Sequence, residues 1–224
     1  MKAITYILLM TIIIACNSRA KIDSKKKFKK LITIEAEIKP ENINRKHTNL
    51  ASLFKELKSS VFIIYTSNGH DTFQGTGFFI NSNGKAISNF HVFENTDYSL
   101  AYAVIENVKY KISKLSQGNK NIDYCIFQLN EVYGNDYLKP SSIRPIVGEE
   151  VFTIGNPEGL EHTLSKGIVS AIRGTDIIQT TTEITHGSSG GPLINMNGKV
   201  VGITTSGMGE ANLNFAINIL SLEL

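Results

Sequence analysis

Short apolar segments of four to eight residues, separated by glycine, asparagine and charged residues, recur from about residue 61 to the end of the chain. Many are rich in β-branched and aromatic side chains, which favours strands over helices. Asn83-Gly84 and Asn197-Gly198 each separate two such segments and predict hairpin turns. The pattern predicts strands at 61–65, 77–80, 100–105, 108–112, 124–129, 151–154, 164–171, 177–181, 193–196, 200–204 and 214–217.

One stretch has a helical pattern instead. Leu50, Leu53, Phe54 and Leu57 recur at the spacing of one helix face and predict a short helix. About a dozen short strands with little helix indicate an all-β barrel or sandwich. The 224 residues are 42% hydrophobic and 19% charged, which is typical of a chain that buries a core. We predict one main domain at residues 49–224.

The first residues follow the pattern of a secretory signal. Lys2 precedes an apolar run from Ala3 to Ala15, which is shorter than the about 20 residues needed to cross a bilayer. The end of this run resembles the bacterial lipobox, in which the cysteine is lipidated and becomes the mature N-terminus. We predict a lipoprotein signal peptide at 1–15 and lipidation of Cys16. An ordinary signal peptide with an incidental cysteine and a retained signal anchor are the alternatives.

The next segment, residues 16–48, is Lys- and Asn-rich, and we interpret it as a membrane tether. The whole chain has 23 basic and 20 acidic residues; eight of the basic ones but only Asp23 of the acidic ones lie within the first 30 positions, which leaves 15 against 19 beyond them. Basic residues beside anionic lipid add about 1 kcal/mol each to membrane binding. A solvated linker is the alternative. Nucleic-acid binding is poorly supported, because Phe28 is the only aromatic residue among these charges.

Three segments carry residues suited to acyl transfer. His91 follows an apolar strand, Asp123 precedes another, and Ser189 lies in a glycine-rich stretch at 187–192. A serine hydroxyl needs a base, and a carboxylate can fix the tautomer of an imidazole base. The backbone N–H groups of Gly187 and Ser189 can serve as an oxyanion hole. Each signal is weak alone, but the order His, Asp, Ser at intervals of 32 and 66 residues is specific.

From about residue 59 to residue 219 the chain resembles the trypsin-like protease domain of the HtrA proteases. The match lies at 75–78, 89–92, the strand after Asp123, 147–148, 154–157, 167–170, 179–180, 187–192, 197–198, 201–203 and 215–217. The resemblance implies a chymotrypsin-like pair of perpendicular six-stranded β-barrels, with a triad of His91, Asp123 and Ser189 and the substrate cleft at their junction. It also implies polypeptide substrates, in particular unfolded or damaged proteins, at the cell envelope, on the periplasmic or cell-surface side. No metal or organic cofactor is implied.

The resemblance places Glu183, Phe215 and Ala216 at the primary specificity pocket. An acidic side chain six positions before the nucleophile selects basic substrates in trypsin-like folds, whereas HtrA proteases usually prefer aliphatic ones. A Glu183 side chain that points outward is the favoured alternative, because a buried carboxylate without a partner is costly. Ser188 replaces the asparagine that is common before the nucleophile. HtrA proteases usually continue into PDZ domains, and we expect none here.

Two hypotheses compete with an active HtrA-like protease. A glutamyl-endopeptidase-like protease usually has Ser-Gly-Ser at the nucleophile, whereas Ser189 is followed by two glycines. A binding or adhesin module that has lost catalysis is the hypothesis from another class of protein.

The two cysteines have separate predicted roles. Cys125 lies in an apolar run and is predicted to be a buried, unreactive thiol. With Cys16 lipidated, no intrachain disulfide is expected. The oligomeric state stays undetermined.

Overall fold

The structure is a computed structural model, and it describes residues 49–156, 162–205 and 213–224. The signal peptide, Cys16 and the tether were predicted for residues that lie outside these ranges. The predicted helix is confirmed as α1 (Leu50–Leu57), and the side chain of Asn49 caps it by accepting a hydrogen bond from the Ala51 N–H at 3.0 Å. Short 3₁₀ turns cover Lys58–Ser60, Tyr98–Leu100 and Ile219–Ser221. Within the described ranges, no helix is long and apolar enough to cross a membrane.

Six antiparallel strands form the first barrel. They are β1 (Val61–Ser67), β2 (Thr72–Phe79), β3 (Lys85–Ser88), β4 (Tyr102–Ile105), β5 (Val108–Asn119) and β6 (Tyr124–Leu129). Their spatial order is β1-β2-β3-β6-β5-β4, and pairing of β1 with β4 closes the barrel.

The second barrel uses the remaining strands. They are β7 (Lys139–Pro140), β8 (Glu150–Gly155), β9 (Thr163–Arg173), β10 (Ile177–Thr180), β11 (Pro192–Asn195), β12 (Lys199–Thr204) and β13 (Asn214–Asn218). Six of them follow the order β11-β8-β9-β10-β13-β12, and pairing of β11 with β12 closes the ring. The two-residue β7 is added in parallel at β12. The predicted fold class, a double six-stranded β-barrel, is confirmed.

Both predicted hairpin turns are present. Gly84 and Gly198 have φ values of +76° and +73°, a region in which glycine has no steric penalty. The Ile80 N–H donates to Lys85 O at 2.9 Å across the first turn. Because the length of a hairpin loop fixes strand register, the loop between Ile80 and Lys85 sets which face of β3 enters the core.

Three apolar clusters hold the fold together. One fills the first barrel around Phe62, Phe79 and Phe127, and a smaller one fills the second barrel around Val169 and Leu193. The largest cluster is shared by strands of both barrels and includes Phe78 and Phe152. Large aromatic side chains contribute most of the buried apolar area in such clusters. The barrels therefore pack against each other through the largest of these clusters.

Candidate active site

His91 and Asp123 are brought together by the pairing of β3 with β6. Ser88 at the end of β3 lies opposite Cys125 near the start of β6, so the residues just beyond these strand ends share one rim of the barrel. His91 Nδ1 and Asp123 Oδ2 are 2.8 Å apart, and the His91 backbone N–H donates to Asp123 Oδ1 at 2.9 Å. The carboxylate thus contacts His91 through both oxygens. The two side chains are 40% and 27% exposed, which leaves the imidazole accessible to solvent.

The backbone of Asp123 has a left-handed conformation that its neighbours stabilise. Its φ is +63°, a region that Asp and Asn tolerate better than most residues. The side chain of Asn89, which is fully buried, donates from Nδ2 to Asp123 O at 2.9 Å. Thr205 Oγ1 donates to Asp123 Oδ2 at 3.2 Å. These bonds hold the carboxylate where it meets the imidazole. Neither Asn89 nor Thr205 was predicted as a site residue from the sequence.

The Cys125 thiol lies beside this pair and is inert. Cys125 is fully buried, as predicted, and its Sγ donates to Asn89 O at 3.4 Å. Burial, with a smaller contribution from the Asp123 carboxylate, raises the pKa of the Cys125 thiol. The thiol therefore stays protonated, and only a thiolate is a nucleophile. Cys125 is a packing residue of the first barrel.

Ser189 lies in a tight turn at residues 187–191, which we call the nucleophile turn. Gly187 and Gly190 have φ values of +88° and +89°, so the positions before and after Ser188-Ser189 need glycine. A Cβ added to Gly190 would lie 2.1 Å from Ser88 Oγ and 2.2 Å from Thr76 O. The turn is therefore packed directly on the end of β3, the strand that leads to His91. Ser189 Oγ forms no hydrogen bond with any described residue, His91 included.

The backbone donors of the nucleophile turn divide into two groups. The N–H groups of Ser188, Gly190 and Gly191 donate to carbonyl oxygens within the fold. The N–H groups of Gly187 and Ser189, which the sequence suggests for an oxyanion hole, have no acceptor among residues 49–156, 162–205 and 213–224. Two unpaired donors on either side of one residue are a suitable arrangement for binding an oxyanion. Their role stays a prediction.

The three residues predicted for the specificity pocket have different environments. Phe215 is half-buried and Ala216 is buried on β13, and Phe215 O accepts a hydrogen bond from the Thr205 N–H at 3.0 Å. Because Thr205 also contacts Asp123, this end of β13 is connected to the His91 segment. Glu183 is exposed, and its backbone N–H donates to Ser165 Oγ at 2.8 Å. Nowhere in the described part of the chain do three His, Cys, Asp or Glu side chains group as a metal site requires.

Comparisons with known proteins agree with this geometry. The family model for the trypsin-like peptidase domain matches residues 75–203. The chain belongs to the trypsin-like peptidase family. That match includes the segments that carry His91, Asp123 and Ser189.

Relatives of this trypsin-like peptidase are named as serine endoproteases. A probable periplasmic serine endoprotease, DegP-like, from Bartonella henselae is 36% identical over 159 residues, which cover 64% of this chain and 30% of the relative. One from Pseudomonas putida is 36% identical over 157 residues, covering 65% of this chain and 32% of the relative. The resemblance to the HtrA proteases is thus confirmed, and the match spans about a third of the length of these relatives.

Two solved structures have the same fold as this trypsin-like peptidase. The active form of a protease from M. tuberculosis matches with a TM-score of 0.68 at 18% identity, over 75% of this chain and 79% of that chain. The serine endoprotease from Yersinia pestis matches with a TM-score of 0.68 at 23% identity, over 78% and 64% of the two chains. These structures show that the double barrel is the trypsin-like fold.

Proposed function

We propose that the chain is a serine endopeptidase that cleaves polypeptides with a triad of Ser189, His91 and Asp123. The observation that carries the proposal is the bond of 2.8 Å between His91 Nδ1 and Asp123 Oδ2, beside a glycine-bounded turn that presents Ser189. Family membership supports the same chemistry, because relatives of this chain are named serine endoproteases. Those names do not favour the hypothesis of a binding module.

The first half of the proposed reaction is acylation. His91 Nε2 takes the proton of Ser189 Oγ as this oxygen attacks the scissile carbonyl carbon, and the C–N bond then breaks. The imidazolium returns the proton to the leaving amine. Asp123 remains a carboxylate throughout, holds the proton on Nδ1 and stabilises the imidazolium. In the second half, His91 activates a water molecule in the same way, and hydrolysis of the ester releases the new carboxylate.

The backbone N–H groups of Ser189 and Gly187 would stabilise the oxyanion of each tetrahedral intermediate. A donor that is already fixed in place requires no reorganisation as charge develops on the oxygen. Removal of one such donor in a comparable site lowers kcat by about 10²- to 10³-fold. Ser189 would thus contribute both the attacking oxygen and one of the stabilising donors.

The proposed substrates are unfolded or damaged polypeptides. An extended chain can enter a cleft between two barrels, whereas a folded protein presents few extended segments. Phe215 and Ala216 are proposed to line the pocket for the residue before the scissile bond. Glu183 is exposed, and we propose that its side chain faces solvent. We also propose that the pocket prefers aliphatic residues.

Digestion of one protein in two states tests this function. We expect the chain to cleave a reduced and alkylated protein and to leave the native form of the same protein intact. Mapping of the cleavage sites by mass spectrometry is expected to give the same aliphatic preference for wild type and Glu183→Ala. Cleavage after Lys or Arg by wild type that is lost in Glu183→Ala would instead assign an acidic pocket. If the unfolded form is also untouched, the binding module becomes the better interpretation.

The proposed location is the cell envelope, with Cys16 as a lipid anchor, residues 16–48 as the tether and residues 49–224 as the protease domain. The support is the sequence pattern of the first 30 residues, together with the word periplasmic in the names of the relatives. A single acyl chain binds membranes only weakly, so the basic residues of the tether would strengthen attachment.

Expression with labelled palmitate tests the anchor. The wild-type chain is expected to carry the label and to be recovered in the membrane fraction. The Cys16→Ser variant is expected to carry no label and to be absent from the membrane fraction. A mature wild-type protein that begins elsewhere and carries no lipid would contradict this assignment.

A further inference from the structure

Two buried threonines contact three successive carbonyl groups of the nucleophile turn. Thr76 Oγ1 donates to Gly187 O at 2.7 Å, and the Thr76 backbone N–H donates to Ser189 O at 2.8 Å. Thr204 Oγ1 donates to Ser188 O at 2.8 Å. Both threonines have no exposed surface. The carbonyl groups on both sides of the nucleophile are therefore held toward the interior of the fold.

This arrangement determines where the Ser189 N–H points. In a trans peptide the N–H points away from the C=O of the same unit, and the described peptide bonds are all trans. Ser188 O accepts hydrogen bonds from Thr204 Oγ1 and, at 3.1 Å, from the Gly191 N–H, so the Ser189 N–H points in the opposite direction. The neighbouring Ser188 and Gly190 N–H groups donate to Thr185 O at 3.0 Å and Thr204 O at 2.8 Å. Of these three donors, only that of Ser189 lacks an acceptor among the described residues.

The Thr76 hydroxyl is itself fixed in orientation. The backbone N–H of Asn156 donates to Thr76 Oγ1 at 3.2 Å, and Asn156 Nδ2 lies 3.4 Å from the same oxygen. With these donors on its oxygen, the hydroxyl proton is directed to Gly187 O. Thr76 O also accepts a hydrogen bond from Ser88 Oγ at 2.7 Å. One residue of β2 thus connects the nucleophile turn to the strand that leads to His91.

We propose that Thr76 and Thr204 are positioning residues, which fix the nucleophile turn with the Ser189 N–H directed at the oxyanion. This inference rests on the proposed function and adds the two hydroxyl groups on which the geometry of that site depends. Without the Thr76 hydroxyl, the Gly187 carbonyl loses its partner in the interior, and its peptide unit is held only by the bond from the Ser188 N–H to Thr185 O. Because glycine has few steric limits, the peptide units on either side of Gly187 then sample orientations that misplace the oxyanion donors.

The expected effect is on kcat. Misplacement of reacting groups by about 1 Å can lower the rate about 100-fold. We expect Thr76→Val and Thr204→Val each to lower kcat on the order of 100-fold, with little change in KM, because the substrate cleft itself is unaltered. Thr76→Ser and Thr204→Ser keep the hydroxyl and are expected to retain most of the wild-type kcat.

Thr153→Val is the matched control. Thr153 is a buried threonine of β8 whose hydroxyl has no hydrogen-bond partner among the described residues. The substitution makes the same change in shape and polarity at a hydroxyl that forms no hydrogen bond with the nucleophile turn, and wild-type kcat is expected. If Thr76→Val does not fold, the Thr204 pair of variants supplies the same comparison.

The test combines kinetics on a peptide substrate with hydrogen–deuterium exchange of the peptides that cover residues 183–193. A lower kcat together with faster exchange in the valine variants, both restored by serine, would support the proposal. The proposal would be overturned if the valine variants keep the wild-type kcat and the wild-type exchange rate. It would also be overturned if the serine variants are as impaired as the valine variants. If the wild-type chain itself is inactive, the proposed function fails, and exchange alone decides whether the threonines fix the turn.

Discussion

Ser189→Ala and His91→Ala are each expected to lower kcat on the order of a million-fold, and the double variant is expected to lose little more. In the proposed triad the hydroxyl and the base act as one unit, so removal of either would leave the other without a function. The measurement is kcat on a peptide substrate for wild type, both single variants and the double variant. Losses that add up in the double variant would show that the two residues do not act together.

Ser188→Ala is the matched control for this experiment. It removes the neighbouring hydroxyl and keeps the backbone of the nucleophile turn, whose contacts are made by the Ser188 carbonyl and N–H. We expect the kcat of Ser188→Ala to stay within about tenfold of the wild-type value. Removal of the nucleophile itself is expected to lower kcat on the order of a million-fold. A larger loss in Ser188→Ala than in Ser189→Ala would move the nucleophile by one residue.

Asp123→Asn is expected to lower kcat by about 10⁴-fold while leaving the fold intact. The amide oxygen can still accept the hydrogen bond from the His91 backbone N–H, so the segment that carries His91 keeps this contact with residue 123. The amide nitrogen would donate to Nδ1, which moves the ring proton to Nε2 and removes the acceptor that the Ser189 proton needs. Asp136→Asn, on an exposed loop, serves as the control. More than a tenth of wild-type kcat in Asp123→Asn would contradict the proposed role of the carboxylate.

Much of the fold was predictable because local signals coincide with the tertiary structure. The helical spacing at Leu50–Leu57 and the turns at Gly84 and Gly198 reflect backbone preferences that need no distant partner. Strand boundaries were less accurate. The strand predicted at 108–112 continues as β5 to Asn119, and its register shifts after Ile112 and after Leu115. Such irregularities interrupt the alternation of apolar and polar residues on which the prediction depended.

The candidate site was predictable only in part. His91, Asp123 and Ser189 were predicted from their residue types, order and family resemblance, and the structure brings His91 and Asp123 into contact. The threonines were not, because the bond from Thr76 to Gly187 joins residues 111 positions apart, and that from Thr204 to Ser188 joins residues 16 apart. A buried threonine in a strand has the same sequence signal whether its hydroxyl holds a loop or, as in Thr153, forms no bond with a described residue. Whether such a hydroxyl bonds to a loop depends on tertiary contacts between strands and loops, which the local sequence does not contain.

β7 was missed for a similar reason. It consists of Lys139 and Pro140 alone, and both are exposed, so it has neither apolar alternation nor strand propensity. Its pairing with Lys199 and Val200 of β12 exists because the chain passes along that edge on its way to the second barrel. The Ser141 N–H then donates to Val200 O at 2.8 Å and continues the contact.

The most direct test of the serine peptidase assignment is covalent labelling with a fluorophosphonate, followed by intact mass measurement and peptide mapping. The fluorophosphonate reacts with a serine hydroxyl only where a base and an oxyanion site activate it. We predict a single adduct on Ser189 of the folded protein, absent from Ser189→Ala and strongly slowed in His91→Ala. Folded wild-type protein that takes up no label, or that is labelled on another residue, would contradict the account.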